Sequence, residues 1–369
     1  MAKYFIIAGE SSGDVHAASL ITQIKLRDPE AAFAGMGGDR MEEAGCHLYR
    51  HLRYMAFMGF ADVIRHRKDV QDNFRIAREA ILAEKPDVLV LIDYPSFNLR
   101  MAKFCRQQLP NTKIFYYIPP KVWAWKRRRI HAIARLCDEV LGIFPFEPTF
   151  YAKYGYTCKY VGNPTAERIA ECRHTKHLSD RAQMIAVLPG SRPSEISHCL
   201  PKMLEAARRF PNYAITVCAA PNIEDDFYTP YLHAGETLTR DTYATLQEAS
   251  AAIVNSGTAT LETALLACPQ VAVYHLTCPW FVGIIRPIAQ PLMFDIPYFT
   301  LVNIISGKEV IKECIGNEFT VDKVAEELKR LLSDKAYKKE MLANYDHLSV
   351  LLGSQPAAVT AAEIITSKP

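Results

Sequence analysis

The sequence predicts an α/β protein whose parallel β-sheets are covered by helices. Short apolar runs alternate with amphipathic segments from one end of the chain to the other, as in successive βαβ units. With 369 residues the chain is too long for one ordinary core, so we expect two domains. The strand-like runs are residues 3–8, 87–92, 113–118, 139–144, 184–188, 213–218, 251–254 and 270–274.

The first predicted strand runs into a loop of small and acidic residues. Residues 9–14 read Gly-Glu-Ser-Ser-Gly-Asp, and an apolar-periodic helix follows. Backbone N–H groups at such a helix start can contact an anion or a sugar hydroxyl. Because Glu10 and Asp14 would repel a phosphate, we expect a loop that faces a sugar. The alternative is that Ser12 or Asp14 caps the helix.

A second glycine cluster, residues 35–40, does not carry a dinucleotide site. The motif G-x-G-x-x-G requires a third glycine at the position of Arg40. The sequence also lacks the phosphate-loop pattern G-x-x-x-x-G-K-[ST]. These mismatches argue against nicotinamide dehydrogenases and P-loop enzymes.

The clearest buried strand, residues 87–92, ends at Asp93. Pro86 ends the preceding helix, and Pro95 turns the chain away from the strand direction. In open α/β sheets, ligands bind at the carboxyl ends of the strands. Asp93 is therefore a candidate catalytic base, and the alternative is that it caps the helix from Phe97.

Two segments place aromatic and apolar side chains beside cations. In residues 116–129, the two tryptophans are followed by four consecutive cations, and in residues 55–68 an apolar run precedes a basic one. Such segments can bind a sugar, a phosphate or an anionic membrane. The alternatives are a solvated helix turn for the first and core packing for the second. The candidate residues are Met58, Phe60, Trp123, Trp125 and Lys126.

Two loops in the second half have the composition of a nucleotide site. Each follows a strand-like run and opens a helix, so glycine and serine expose backbone donors to a diphosphate. Arg192 adds a planar group suited to phosphate oxygens. If the two loops together hold a nucleotide, Glu262 in the first turns of its helix would be within reach of the ribose hydroxyls. Either loop alone is also a common strand-to-helix connection. The candidate residues are Gly190, Ser191, Arg192, Ser256, Gly257, Thr258 and Glu262.

The domain boundary is expected in residues 166–183, which are polar and contain no obvious strand. The first domain is then residues 1–165, and the second is residues 166–354. From Val321 onward the pattern predicts consecutive helices, with a last one at 357–365 after Gly353 and Pro356.

Composition narrows the class of protein. The net charge of +3 and the 22% of charged residues do not indicate nucleic-acid binding. The ten cysteines form no C-x-x-C pair, as expected for core thiols in a reducing compartment. The N-terminal apolar run is too short for a signal peptide, and no stretch approaches the roughly 18 apolar residues of a membrane span. We therefore expect a soluble cytoplasmic protein.

Eight motifs together resemble one known family, lipid-A-disaccharide synthase, an inverting glycosyltransferase of the GT-B type. They occur in family order between about residues 4 and 313. The motifs are Gly9-Glu10-x-Ser12-Gly13-Asp14, Gly35-x-Gly37-Gly38, Met58-Gly59-Phe60, Leu91-Ile92-Asp93-Tyr94-Pro95-x-Phe97-Asn98, Val122-Trp123-Ala124-Trp125, Phe144-Pro145-Phe146-Glu147, Leu188-Pro189-Gly190-Ser191-Arg192 and Ser256-Gly257-Thr258-Ala259-Thr260-Leu261-Glu262.

The resemblance implies a reaction and an architecture. Members join UDP-2,3-diacylglucosamine to 2,3-diacylglucosamine 1-phosphate, which forms a β(1→6) disaccharide and releases UDP. The implied fold has two Rossmann-like domains facing a cleft, with the acceptor in the first domain and the UDP-sugar in the second. The C-terminal helix, residues 355–369, is expected to cross back to the first domain. Two positions depart from the family pattern: Asn163 replaces a common histidine, and Pro119 replaces a common serine.

The resemblance also assigns roles to the candidate residues. Asp93 is the expected base, with Glu10 or Asp14 holding acceptor hydroxyls, although the base stays open among these three. Asn303 joins Glu262 as a contact of the donor sugar or ribose. Ser12 and the aromatic and basic candidates form the acceptor or membrane face. Because no D-x-D triplet is present, we expect a metal-independent enzyme without a cofactor.

Partners and alternatives follow from the same resemblance. Acylated substrates at a membrane imply peripheral association with the cytoplasmic surface of the inner membrane, and a homodimer is an allowed assembly. No nucleic-acid partner is expected. The alternatives are another GT-B enzyme acting on a UDP-sugar, such as a 2-epimerase, or a nucleotide-sugar-binding protein without catalysis. The first of these alternatives does not explain the apolar and basic segments at residues 55–60 and 123–129.

Overall fold

The computed structural model describes residues 2–55, 67–123, 128–172, 181–276 and 298–367. The chain divides into two compact units. The first unit contains residues 1–167 and 354–369, and the second contains residues 168–353.

The first unit is built on a parallel seven-stranded sheet with the strand order β3-β2-β1-β4-β5-β6-β7. Its strands are β1 (Lys3–Ala8), β2 (Ala32–Gly37), β3 (His47–His51), β4 (Val88–Ile92), β5 (Lys113–Tyr117), β6 (Glu139–Gly142) and β7 (Lys159–Tyr160). Its helices up to the boundary are α1 (Ser11–Arg27), α2 (Asp39–Glu43), α3 (Arg67–Glu84), α4 (Pro95–Gln108), α5 (Arg129–Leu136), α6 (Glu147–Ala152) and α7 (Pro164–Cys172), the last of which spans the boundary.

The central strands β1 and β4 pair in parallel, with Tyr4 opposite Val88 and Ala8 opposite Ile92. All five residues of β4 are buried, and so are five of the six in β1. Helices cover both faces of such a sheet, so its strands are apolar throughout and do not alternate. This continuity made β1 and β4 recognisable in the sequence.

The sequence does not predict the strands β2, β3 and β7 of this sheet, nor two strands of the second sheet, Thr237–Thr239 and Lys312–Ile315. In β2, glycine and alanine replace the branched residues that usually mark a strand. Gly35 is required by close packing, because a Cβ there would clash with the carbonyl oxygen of Ile6 in β1. The glycine cluster at 35–38 therefore serves the packing of the sheet.

The second unit is built on a parallel six-stranded sheet with the order β10-β9-β8-β11-β12-β13. Its strands are β8 (Ala182–Leu188), β9 (Ala214–Cys218), β10 (Thr237–Thr239), β11 (Ala249–Asn255), β12 (Gln270–Tyr274) and β13 (Lys312–Ile315). Its helices are α8 (Pro193–Ala207), α9 (Thr242–Glu248), α10 (Thr258–Leu265), α11 (Leu301–Ser306), α12 (Val321–Ser333) and α13 (Lys335–Leu352).

The last helix, α14 (Ala357–Thr366), returns to the first unit and packs against α1. Its buried face, which includes Ala361 and Ile365, joins the apolar cluster formed with Leu20 and Ile24 of α1. The chain before α14 passes close to Gly162, where φ is 106° and a Cβ would clash with the carbonyl oxygen of Gln355. The expected return of the C-terminal helix is confirmed.

Among the described residues, one helical segment, Lys335–Thr366, is long and apolar enough by composition to cross a membrane. It consists of α13 and α14, and Gly353 interrupts it with a φ of 64°. Both helices bury apolar side chains within their own units, for example Leu348 and Ile365. About a third of the most apolar stretch of this segment, 33%, is buried inside the protein.

Candidate active site

Asp93 lies directly after β4, at the carboxyl edge of the first sheet. Its φ is 45° and that of Tyr94 is 44°, so two consecutive non-glycine residues are left-handed. The Asp93 N–H donates to the carbonyl of Ile118, which follows β5 and is also left-handed, at 3.2 Å. Strained backbone of this kind persists only where the surroundings hold it, and it concentrates at functional sites.

The Asp93 side chain does not cap the following helix. That helix, α4, begins at Pro95, and its capping position is Tyr94, which makes no side-chain capping bond. Burial raises the pKa of Asp93, while the charge of Lys121 and the N–H of Tyr94 act in the opposite direction. A carboxylate partly withdrawn from water binds a proton more readily than an exposed one, as a general base must.

Glu10 is exposed on the loop that follows β1, and Ser12 is exposed in the first turn of α1, at the same edge of the sheet as Asp93. The ring of Tyr94 packs on Gly9, where a Cβ would clash with it. Burial raises the pKa of Tyr94, and the negative charge of Glu10 raises it further. The structure therefore brings Glu10 close to the β4–α4 loop.

Asp14 requires a correction, because its carboxylate serves the backbone. It is buried and accepts hydrogen bonds from the N–H groups of Gly38 at 2.7 Å, Arg40 at 3.1 Å and Met41 at 3.1 Å. These are the unpaired donors at the start of α2, so Asp14 caps α2 and not α1. A carboxylate held by three N–H groups away from water is unsuited to bind an acceptor hydroxyl or remove a proton.

Trp123 also requires a correction, because only 2% of it is exposed. Its indole Nε1–H donates to Oε1 of Glu147 at 3.2 Å, and its ring meets those of Phe144 and Phe146 edge to face. Trp123 is therefore part of the core and not of a membrane-facing surface. The other candidates in the two apolar and basic segments, Met58, Phe60, Trp125 and Lys126, lie outside the described residues.

In the second unit, Gly190 follows β8 with a φ of 116°. A Cβ at this position would lie 2.6 Å from Nδ2 of Asn255 and 2.8 Å from Oε2 of Glu195. Glu195 accepts from the N–H of Ser191 at 3.3 Å and from Arg192 at 3.2 Å. The Glu195 carboxylate thus accepts the hydrogen bonds of the Ser191 N–H and the Arg192 guanidinium. The sequence pattern did not indicate this role of Glu195.

The loop after β11 is open. The N–H of Ser256 donates to the carbonyl of Val273 in β12 at 2.8 Å, which joins the ends of the two strands. Gly257 is extended, and among the described residues no atom beyond its chain neighbours lies within 4 Å of the position of its Cβ. Helix α10 then begins at Thr258 without a side-chain cap, so its first N–H groups can receive an anion.

Two histidines that the sequence analysis did not single out lie beside these loops. The rings of His198 in α8 and His275 after β12 stack with centroids 4.5 Å apart. Burial lowers the pKa of His275, and the positive charges of His198 and Lys202 lower it further. Cys199, next to His198, contacts Asn255 at the end of β11 at 3.6 Å. The sequence feature that could have identified His275 as a candidate site residue is its position directly after the end of β12.

Glu262 lies on α10 and is already paired. Its Oε1 accepts from Arg168 at 2.7 Å and from the hydroxyl of Tyr243 at 3.2 Å. The Arg168 guanidinium also lies over the Tyr243 ring. A ribose or sugar hydroxyl would have to share this carboxylate with both residues.

Asn303 requires a correction, because its side chain is fully buried and fully bonded. Its Nδ2 donates to the carbonyl of Ile311 and to Glu313, both at 2.9 Å. Its Oδ1 accepts from the N–H groups of Val310 at 2.8 Å and Ile311 at 3.0 Å. An amide has two donors and two lone pairs, so none is left for a sugar. Asn303 instead fixes the backbone of Val310 and Ile311, the two residues that precede β13.

The two parallel sheets, with loops of small residues at their carboxyl edges, define the class as an α/β protein of two Rossmann-like units. Solved structures with this fold include a putative UDP-N-acetylglucosamine 2-epimerase from Listeria monocytogenes, 13% identical with a TM-score of 0.64 over 99% of this chain and 94% of that one. The glycosyltransferase of kitacinnamycin is 12% identical, with a TM-score of 0.66 over 100% and 99%. At this identity the likeness shows the GT-B fold alone.

Comparison of the sequence with known families is more specific. The family model described as lipid-A-disaccharide synthetase matches residues 4–365. The lipid-A-disaccharide synthases of Trichlorobacter lovleyi and Myxococcus xanthus are each 35% identical, over 99% and 98% of this chain and 97% and 96% of theirs. The chain belongs to the lipid-A-disaccharide synthase family. The predicted family, fold class and glycosyltransferase activity are confirmed.

Proposed function

We propose that this protein joins UDP-2,3-diacylglucosamine to 2,3-diacylglucosamine 1-phosphate in lipid A biosynthesis. The products are the β(1→6) disaccharide 1-phosphate and UDP. The observation that carries the proposal is the family match over residues 4–365, supported by relatives that are 35% identical over 97% and 96% of their length.

Inversion at the anomeric carbon requires one in-line displacement. The oxygen of the acceptor 6-hydroxyl bonds to C1 of the donor sugar, and the bond from C1 to the diphosphate breaks. UDP leaves with the electron pair, and the hydroxyl proton passes to the Asp93 carboxylate. The raised pKa and the strained backbone of Asp93 support its choice over Asp14.

The second unit supplies the groups for the UDP-sugar. In this proposal the N–H groups of Gly257 and Thr258 stabilise the charge that develops on the diphosphate. The Ser191 N–H and the Arg192 guanidinium join them by exchanging the Glu195 carboxylate for phosphate oxygens. Glu262 holds a hydroxyl of the ribose or donor sugar. The first unit, with Glu10 and Ser12 beside Asp93, receives the acceptor. Metal independence stays a prediction.

The test uses the purified full chain with both acylated substrates, EDTA and no added metal. UDP release should require both substrates and should yield the disaccharide 1-phosphate. Asp93→Asn should lower kcat by roughly 100-fold to 10,000-fold, since general-base catalysis contributes about that much. The matched control is Asp72→Asn on α3, which changes an exposed aspartate. Near-normal turnover by soluble Asp93→Asn would show that the base is another group.

The same assay separates the alternatives. A 2-epimerase would convert the UDP-sugar without acceptor, and a binding protein would bind it without releasing UDP. Equal turnover of acylated and deacylated donor would argue for a soluble acceptor. Family membership disfavours each of these outcomes.

We further propose that the protein works at the cytoplasmic surface of the inner membrane as a peripheral protein. The acyl chains of both substrates support this location. The protein should sediment with vesicles of anionic phospholipid at low salt. Sedimentation with neutral vesicles but not with anionic ones would contradict an electrostatic contribution to membrane binding. A homodimer stays a prediction, which light scattering of the purified chain would test.

A further inference from the structure

The peptide groups around Asp93 adopt a conformation that L-residues avoid. Both Asp93 and Tyr94 are left-handed, although glycine occupies neither position. A lone non-glycine residue relaxes from this region unless other groups hold it. The residues that hold Asp93 therefore decide where its carboxylate points.

Two buried side chains donate to the same backbone oxygen. The hydroxyl of Tyr116 in β5 donates to the carbonyl of Asp93 at 2.7 Å. Nδ2 of Asn98 in α4 donates to that carbonyl at 2.8 Å and to the carbonyl of Ile92 at 3.2 Å. Both donors are inaccessible to solvent. Together with the bond from the Asp93 N–H to Ile118, they hold the Asp93 peptide on both sides.

Neither donor contacts the Asp93 carboxylate in these bonds. They act on the main chain, so their effect on catalysis would pass chiefly through the direction and the burial of the Asp93 side chain. A displacement of about 1 Å in a catalytic group is enough to cost on the order of 100-fold in rate.

We propose that Tyr116 and Asn98 are positioning residues that hold Asp93 in its left-handed conformation and so aim its carboxylate at the acceptor hydroxyl. This inference rests on the proposed function, in which Asp93 is the base. Nothing in the family match assigns these two side chains such a role.

Tyr116→Phe removes only the hydroxyl and keeps the buried ring. Its kcat should fall roughly 10-fold, the effect of losing one well-formed hydrogen bond, while KM for both substrates stays near the wild-type value. As Asp93 relaxes towards solvent, its raised pKa should fall, so the acid limb of the kcat–pH profile should move to lower pH. A change in packing alone would not move that limb.

Tyr117→Phe is the matched control. Tyr117 is the next residue of β5, is equally buried, and faces the apolar cluster on the other side of the sheet. Its variant should keep the wild-type kcat and pH profile. Asn98→Ala removes the second donor and should repeat the Tyr116→Phe result, which keeps the inference testable should either variant fail to fold.

A double-variant comparison separates this inference from the proposed function. If Tyr116 acts through Asp93, adding Tyr116→Phe to Asp93→Asn should not lower the residual rate further. Near-normal turnover by Asp93→Asn would overturn the assignment of the base. An inactive Asp93→Asn together with folded Tyr116→Phe and Asn98→Ala variants that match Tyr117→Phe would overturn the positioning role alone.

Discussion

Asp93 and Asp14 both follow the ends of predicted strands, yet their carboxyl groups have different surroundings. The Asp14 carboxylate accepts hydrogen bonds from three backbone N–H groups at the start of α2. Asp93 is partly buried near Lys121 and carries a raised pKa. The first arrangement is that of a structural helix cap, and the second favours a group that takes up a proton.

Glu147 is a third carboxyl group of the first unit, and it is buried beside Trp123. Burial raises its pKa to about 7, while the N–H of Phe144 and the indole of Trp123 act in the opposite direction. The folded state therefore holds this proton over a pH range in which the unfolded chain, where a glutamate has its ordinary pKa of 4.5, has lost it.

We predict that Glu147 makes stability fall as the pH rises. The folded protein binds more protons than the unfolded chain between the two pKa values, so the free energy of unfolding decreases from pH 4.5 to about 7. The total decrease should be about 3 kcal/mol, from a shift of about 1.36 kcal/mol per unit. Urea unfolding of the wild type and of Glu147→Gln at several pH values measures it.

Glu147→Gln should lose this part of the pH dependence, whereas Glu43→Gln, at an exposed glutamate in an ion pair with Arg40, should keep it. Equal pH slopes for wild type and Glu147→Gln in this range would contradict the buried-proton explanation.

At the scale of secondary structure, apolar patterning located most of the central strands but not the interior strand β2 or the edge strands β3, β7, β10 and β13. The runs that became β1, β4 and β5 are buried on both faces. In contrast, β7 and β10 contain two and three residues, too few to form a pattern. Short edge strands are defined by the neighbour with which they pair, and the local sequence does not contain that neighbour.

The contact between α14 and α1 joins the end of the chain to its beginning. We predict that Ile365→Ala in α14 lowers the free energy of unfolding by about 2–5 kcal/mol, because it opens a cavity in a fully buried contact. Leu26→Ala in α1, where 72% of the side chain is exposed, should have little effect. Thermal and urea unfolding measure both variants, and equal changes in stability would contradict the packing of α14 on α1.

At the scale of the whole molecule, the chain contains two parallel sheets whose carboxyl edges carry different chemistry. The first unit places Glu10, Asp93 and Lys121 at that edge. The second places two loops of small residues there, and the loop after β11 leads into α10 without a side-chain cap. This difference supports separate roles for the two units, with a base in one and a diphosphate site in the other.

We predict that UDP alone binds through the second unit of the intact chain. Hydrogen exchange should slow in residues 188–195 and 255–262, since the diphosphate would occupy their N–H groups. Arg192→Ala should weaken UDP binding by roughly 10-fold or more, because it removes a charged donor. Isothermal titration measures the affinity.

Arg209→Ala provides the control, since Arg209 is also partly exposed but pairs with Asp322 on α12. Its UDP affinity should match that of the wild type. Protection confined to the first unit, or equal affinity for both arginine variants, would contradict the assignment of the diphosphate site.

The candidate site was predictable where a motif places a residue at a strand end, as for Asp93, Gly190 and Ser256. It was not predictable where the role depends on a partner far along the chain. Asn303 donates a hydrogen bond to Glu313, and Trp123 donates one to Glu147. Neither pairing is visible in a local sequence pattern.

By itself, the sequence determined the family, the α/β class and the strand ends at which chemistry is expected, because motif order and apolar runs are local properties of the chain. Only the tertiary structure decided which polar side chains are already bonded within the protein. The side chains of Asp14 and Asn303 accept hydrogen bonds from backbone N–H groups. The carbonyl of Asp93 accepts hydrogen bonds from the side chains of Tyr116 and Asn98. The physical reason is that a hydrogen bond requires atoms within about 3 Å, and folding alone brings distant residues that close.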